Sequence, residues 1–285
     1  MRHLARHRVG DVTLLSASEP AGHVALAFTE RTGGASAAPY ESLNLGGSCG
    51  DDEACVRENR RRALAAIGAA GLERRLVCPR QVHGDRVVCV RSAEAGALEA
   101  ARAEALAGAD AVVCTAEDVP VLLCFADCVP VVLTCPGGFA VVHSGWRGTM
   151  ARISEKAARV LAAEAGCDAG ELRAFVGPHI GAADYEVSEE LLGSFVDAFG
   201  EDVALDGRHL DLERAVVAAL ASAGVGPERI EVAGVSTASA TERFFSYRAE
   251  GGRCGRHGAL AVMGRRPWAW PEGAPAASER EEARA

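Results

Sequence analysis

Residues 108–148 read GADAVVCTAEDVPVLLCFADCVPVVLTCPGGFAVVHSGWRG, a series of dense apolar runs broken at residues that bind metals or transfer protons. Short β-branched runs bounded by Gly and Pro have the composition of buried strands. Two of them end in polar groups. The run 119–125 delivers Ala126, Asp127 and Cys128; the run 138–142 delivers His143, Ser144, Gly145, Trp146 and Arg147. Strand ends are where sites form, so the chemistry is expected at these ends.

Cys128 sits between two apolar runs, and Pro130 restricts the backbone beside it, so a turn here would expose the thiol. A third candidate is His83 in Arg80-Gln81-Val82-His83-Gly84, again between apolar stretches. Two imidazoles and one thiolate leave a fourth tetrahedral position open for water, the composition of a catalytic rather than a structural zinc site. The spacings of 45 and 15 residues match no short metal signature such as HExxH or paired CxxC. The residues alone leave alternatives: His83 as ligand or as a structural histidine on a tight connection, Cys128 as ligand or as nucleophile.

The segments Arg80-Gln81-Val82-His83-Gly84, Ala126-Asp127-Cys128-Val129-Pro130, His143-Ser144-Gly145-Trp146-Arg147-Gly148, Gly177-Pro178-His179-Ile180-Gly181 and Tyr185-Glu186-Val187 together resemble the YfiH/laccase-domain family. Arg31-Thr32-Gly33-Gly34-Ala35-Ser36, Ser42-Leu43-Asn44-Leu45-Gly46 and Gly50-Asp51-Asp52 look like that family's opening motifs, so the resemblance spans roughly residues 25–265. It implies a layered α/β/β/α sandwich with mixed sheets and a zinc site at His83, Cys128 and His143. It also implies purine nucleoside phosphorylase activity on adenosine, inosine or methylthioadenosine, with accompanying adenosine deamination. Purine nucleosides and phosphate are then the partners, Asp127 joins the three ligands as a catalytic residue, and Arg31, Asn44, Arg147 and Arg248 are the substrate contacts. Copper is the less favoured metal: polyphenol oxidation by a multicopper centre needs many histidines, and the chain has eight in all.

Deamination at C6 of adenine needs a proton shuttle, and Asp127 is the nearest carboxylate in sequence to Cys128; it serves equally well to orient His143 or a backbone turn. The nucleobase-deaminase signature HxE with PCxxC is absent, so any deamination uses a separately evolved site. Arg31, flanked by Gly33 and Gly34, reads either as a guanidinium fork for phosphate or as a surface arginine in a turn. A helix over residues 149–165, with Ile153, Ala157, Val160 and Leu161 on one face, would place its free N–H groups beside His143 and Arg147, an anion site. Trp146, Phe244 and Tyr247 are candidate stacking walls.

Some residues depart from the family pattern. His179 stands where cysteine or serine is more usual and reads as an added ligand or as part of the site rim. Ser236-Thr237 replaces the common Cys-Thr, and Gly255-Arg256-His257-Gly258 replaces Gly-Arg-Met-Ala. Three other functions use the same residues differently: a cysteine hydrolase with Cys128 as nucleophile and His83 or His143 as base, a peptidoglycan-precursor editing enzyme, and a non-enzymatic interaction protein.

With 285 residues and 49% hydrophobic content the chain can bury a large core, and it reads as a single domain over 1–270 followed by a disordered tail at 271–285. A formal charge of −9 without a basic run excludes nucleic acid and anionic membrane as main partners. The N-terminus lacks the apolar stretch of a signal peptide, no apolar run is long enough to span a bilayer, and the ten scattered cysteines suit reduced thiols, which together predict a cytoplasmic protein. Nothing in the pattern sets an oligomeric state.

Strands are predicted at 12–15, 24–28, 75–82, 86–91, 172–176, 230–235 and 259–263. Helices are predicted at 53–70, 188–199 and 210–223, with 94–107 as helix or loop. Asp51 and Asp52 read as cap and dipole partners of the first helix rather than metal ligands.

Overall fold

The computed structural model describes residues 2–264. In chain order these form β1 (Arg2–His3), β2 (Ala5–Val9), β3 (Val12–Ser16), β4 (Val24–Thr29), α1 (Glu53–Ala66), β5 (Val87–Val90), α2 (Ala95–Ala107), β6 (Ala111–Cys114), β7 (Val121–Phe125), β8 (Val129–Cys135) and β9 (Gly138–Ser144). There follow α3 (Trp146–Met150), α4 (Ile153–Ala165), β10 (Arg173–Val176), α5 (Glu189–Phe199), β11 (Ala204–Leu205), β12 (His209–Leu210), α6 (Leu212–Ala223), β13 (Ile230–Val232) and β14 (His257–Met263).

Seven strands form one mixed sheet in the order β1-β13-β10-β8-β9-β6-β5, and five form an antiparallel sheet in the order β2-β3-β4-β14-β7. Because strand side chains alternate, each buried strand feeds two cores. From β9, Phe139 and Val141 enter the core between the sheets, whereas Ala140 and Val142 pack under α4 and α6. From β4, Val24, Leu26 and Phe28 join the same inter-sheet core, and Ala25 and Ala27 face α1. The layers are therefore α1, five strands, seven strands and α4–α6, the expected α/β/β/α sandwich. Consecutive strands β7 and β8 belong to different sheets, joined by residues 126–128 alone.

Three local expectations are corrected. Residues 75–82 are not a strand. Pro79 has no N–H to give a ladder, and the segment's bonds are scattered: Val77 N–H goes to Pro120 O at 2.9 Å and Arg80 N–H to Ala105 O at 3.2 Å. The helix expected at 149–165 starts earlier and breaks. Extended Gly145 caps α3, Arg152 then adopts φ +55°, and α4 begins at Ile153. Asp52 is the cap of α1, accepting from Ala54 N and Cys55 N, but Asp51 accepts from Ser36 Oγ and Asn44 Nδ2 and organises the preceding loop. The tail at 271–285 and residues 265–270 of the expected domain lie outside the described residues. Among those described, no helix is long and apolar enough to cross a membrane.

Candidate metal centre

Strand register gathers the site. In the antiparallel β8–β9 pair Pro130 lies opposite His143, which brings the Cys128 turn beside the end of β9. In the β6–β9 pair Ala111 lies opposite Val142, and His143 N–H donates to Asp110 O at 2.7 Å. Parallel β5 pairs Val87 with Ala111, so the loop ahead of β5 carries His83 to the same end.

Asp110, which the sequence reading did not single out, ties these parts together. Its carboxylate is fully buried and accepts from the backbone N–H groups of Val82 (3.2 and 3.1 Å), His83 (2.9 Å) and Gly84 (2.8 Å). His83 has φ +58°, the left-handed turn that lets three consecutive N–H groups converge on one anion. The same carboxylate is 2.8 Å from His143 Nδ1. Burial pushes the Asp110 carboxyl up, but hydrogen bonds from His143, Gly84 and Val82 outweigh it and hold its pKa below the ordinary value. An ionised Asp110 accepts the Nδ1 proton and leaves the Nε2 lone pair of His143 for a metal.

One ligand atom each from His83, Cys128 and His143 lie within 4.8 Å of one another. The two imidazoles meet edge to face at 4.8 Å between centroids, and Phe125 walls His143 at 5.4 Å. Gly145 makes the approach possible: a Cβ there would lie 3.1 Å from both Cys128 Sγ and His83 Cδ2. His143 is 3% exposed whereas His83 faces solvent. Burial opposes ionisation of Cys128, yet the neighbouring His143 and His83 pull its thiol down to about 6; burial likewise opposes protonation of His143, while Cys128 and Asp110 raise it to about 9. The oriented His143 nitrogen, a second imidazole at His83 and an easily ionised sulfur, backed by a buried carboxylate, have the chemistry of a zinc donor set.

The centre opens into a cavity of about 830 Å³ lined by Arg60, Arg80, Arg248 and Arg256, with Tyr185 and Tyr247 among its walls. Asp127 is the only carboxylate among the described residues lining it. A chain of net charge −9 thus presents a locally cationic pocket.

The expected substrate contacts divide. Arg248 lines the cavity, its guanidinium reaching Glu186 O and the Tyr185 face, and its backbone N–H donates to Asp127 Oδ2 at 2.7 Å. Arg31 does not line it: the guanidinium bonds Glu41 O, Thr241 O and Glu250 and stacks on Phe245, so its donors join loops rather than wait for phosphate. Asn44 is fully buried and braces Gly46 and the Arg256 backbone. Arg147 is exposed, folded over Trp146 at 4.3 Å, and outside the lining, because α3 starts at Trp146 and turns the side chain away. Of the expected stacking walls only Tyr247 lines the cavity; Phe244 is buried against His257, and Trp146 packs beneath the seven-stranded sheet.

Asp127, at φ +88°, accepts from Thr237 Oγ1 at 2.7 Å as well as from Arg248 N, and its backbone carbonyl accepts from Ile180 N. It holds the turn; His143 is oriented by Asp110 instead. His179 is not part of the ligand cluster: Nδ1 lies 2.9 Å from Gly177 O and Nε2 3.9 Å from Glu213. Asp110, Gly145 and the cavity arginines 60, 80 and 256 were not foreseen as site residues, although Arg80, Gly145 and Arg256 fall inside motifs already quoted. For Asp110 the sequence carries no signal.

Among solved structures, YlmD from Geobacillus stearothermophilus superposes with a TM-score of 0.79 at 28% identity over 90% of this chain and 98% of that one. The Bacillus licheniformis hypothetical protein YfiH gives 0.78 at 26% over 90% and 98%. In sequence, the chain is 35% identical to the purine nucleoside phosphorylase YlmD of Geobacillus stearothermophilus over 255 residues, covering 86% of this chain and 91% of that protein. It is 37% identical to the purine nucleoside phosphorylase of Deinococcus radiodurans over 245 residues, covering 84% and 89%. The profile described as multi-copper polyphenol oxidoreductase laccase matches residues 25–264. With that match over most of its length, the chain belongs to this YfiH-like laccase-domain family.

Proposed function

We propose that this chain is a zinc-dependent purine nucleoside phosphorylase that also deaminates adenosine. The observation that carries the reading is the His83–Cys128–His143 set in the lining of an arginine-rich cavity, in a chain whose relatives bear the phosphorylase name. Phosphorolysis breaks the C1′–N9 bond, forms a C1′–O bond to phosphate and releases the base with a proton. The cavity arginines, Arg248 among them, hold the phosphate; Tyr185 and Tyr247 offer flat faces to a purine or ribose.

When bound, zinc supplies a Lewis acid that brings the pKa of water toward about 7, which suits attack at C6 of adenine. Asp110 keeps the proton on His143 Nδ1. Asp127 presents Cys128 and anchors Arg248; for it to move a proton, its bond to Thr237 or Arg248 must open first.

The test is product analysis by chromatography, with and without phosphate and with and without chelator. Free base from adenosine or inosine only with phosphate, plus inosine from adenosine without it, is expected; chelation abolishes the deamination. Neither product at high concentrations of folded, zinc-replete protein sinks the reading.

One observation favours a second reading. Cys128, His143 and buried Asp110 form a nucleophile–base–orienter series, the arrangement of a metal-free cysteine hydrolase. Alkylation separates the two: a zinc-held thiolate resists iodoacetamide until the metal is stripped, whereas a free nucleophile reacts at once and metal-replete conditions change nothing.

A further inference from the structure

Two cysteines outside the metal centre, Cys78 and Cys124, line the same cavity. The segment ahead of His83 is stitched along β7 at two points. Val77 bridges Val121 in parallel, with Leu122 N–H donating to Val77 O at 3.0 Å. Gln81 clasps the Cys124 backbone, Nε2 donating to its carbonyl and Oε1 accepting from its N–H, both at 2.8 Å. Cys78 lies between these ties, against Cys124.

The surroundings favour a charged sulfur at Cys78. The Cys124 thiol lies 3.4 Å from Leu45 O, a carbonyl that already accepts two bonds from Arg60 at 2.9 and 2.8 Å. That 3.4 Å bond, donated by Cys124, competes with two shorter ones from Arg60, and the Cys78 sulfur is the alternative acceptor for the Cys124 hydrogen. Hydrogen bonding from Cys124 pulls the Cys78 thiol down to about 7 against the effect of burial, with the Arg60 charge assisting, and the same contact keeps Cys124 protonated. An accessible, electropositive site of this kind marks a reactive cysteine.

We propose that Cys78 is a reactive thiolate in the cavity wall that hydroperoxides oxidise and Cys124 resolves. With hydrogen peroxide, the Cys78 sulfur attacks one peroxide oxygen: an S–O bond forms, the O–O bond breaks, and the leaving hydroxide takes a proton to become water. Cys124, giving up its proton, then attacks the Cys78 sulfenic acid; the S–S bond forms and the S–O bond breaks, releasing a second water. Two sulfurs lose two electrons and one peroxide gains them. Arg60 and Arg256, also in the lining, give this part of the cavity positive charge that favours departure of an anionic oxygen.

The zinc-replete, reduced full chain is treated with hydrogen peroxide, blocked with iodoacetamide and digested with trypsin. The peptide 76–80 is expected joined to the peptide 103–147, which contains Cys124, with two hydrogens lost. Cys124→Ser removes the crosslink and leaves a Cys78 sulfenic acid that dimedone traps; Cys114→Ser and Cys135→Ser leave the crosslink intact. A reading on the unmutated protein guards against misfolding of variants. At pH 7 a thiol near 7 rather than 9.0 has about fifty times more thiolate but about eightfold lower intrinsic nucleophilicity, so iodoacetamide labels Cys78 about sixfold faster than an ordinary free thiol, with added N-acetylcysteine as reference. Labelling no faster than N-acetylcysteine, or a crosslink that survives Cys124→Ser, overturns the proposal.

Discussion

The two sides of the cavity are built on opposite terms. On the metal side, a single fully buried carboxylate takes four donors and fixes a loop and a ring together. On the arginine side, guanidiniums lean on backbone carbonyls: Arg80 on Leu106 and Ala107, Arg248 on Glu186 at 3.3 Å, Arg256 on Cys254 and Gly255. The mouth there exposes Leu106 (59%) and Tyr247 (56%). Buried, fully paired networks specify one geometry, whereas exposed charged arms lose little on moving. One side is thus suited to holding an ion rigidly and the other to admitting substrates in more than one pose.

The largest expected effect comes from breaking the rigid side outright. Cys128→Ala or His143→Ala takes zinc from about one per chain to near none by elemental analysis of metal-replete protein; undiminished zinc in either would remove these residues from the ligand set. Next is Asp110→Asn. One amide oxygen cannot accept all four donors, and the new NH₂ confronts backbone N–H groups. Zinc affinity measured by chelator competition falls about 10- to 100-fold, roughly 1.4–2.7 kcal/mol. Asp127→Asn, whose carboxylate braces only the turn and Arg248, should fall well short of that, and equal losses would erase the contrast.

The metal side is also the one that responds to pH. The raised His143 stabilises the fold fully below its ordinary value of 6.5 and ceases to as pH rises through about 9. The lowered Cys128 stabilises it fully above 9.0 and ceases to as pH falls through about 6. Their attraction in zinc-free protein is therefore confined to about pH 6–9. Alkylation of Cys128 in stripped protein should rise with a midpoint near 6; a midpoint near the ordinary thiol value would show that the two histidines do not act on it.

On the adaptable side effects are smaller. Arg248→Ala is expected to weaken apparent phosphate affinity about fivefold, near 1 kcal/mol for an exposed contact, read as KM for phosphate with kcat little changed. Arg147→Ala, outside the lining, is expected to leave that KM alone and to shift stability by no more than about 0.5 kcal/mol. A larger loss at Arg147 than at Arg248 would restore the anion site expected at the start of the helix.

The sequence exposed what depends on local pattern. The runs that became β7, β8 and β9 are apolar and bounded by Gly and Pro, and the ligands sit where those runs stop. The layered sandwich and the ligand set came with the ordered motifs rather than with spacing. What stayed hidden depends on distant partners. Asp110 reads as one polar residue before an apolar run, yet its partners are three N–H groups 26 to 28 residues away and an imidazole 33 residues away. Arg31, flanked by glycines, looks like an open guanidinium in sequence, and Asn44 carries no local clue to its partners; in the structure both side chains tie loops together. The break at Arg152 was masked by apolar residues that keep helical spacing on either side of it.

The short link between β7 and β8 has a mechanical consequence. Residues 126–128 pass from the five-stranded sheet to the seven-stranded one, so Cys128 stands at the seam while His143 and Asp110 belong to the seven-stranded sheet alone. Any sliding of one sheet over the other pulls on the turn that carries the sulfur. An ion gripping all three would act as a rivet through both layers, and its loss would be felt first as slippage at this corner rather than as unwinding of either sheet.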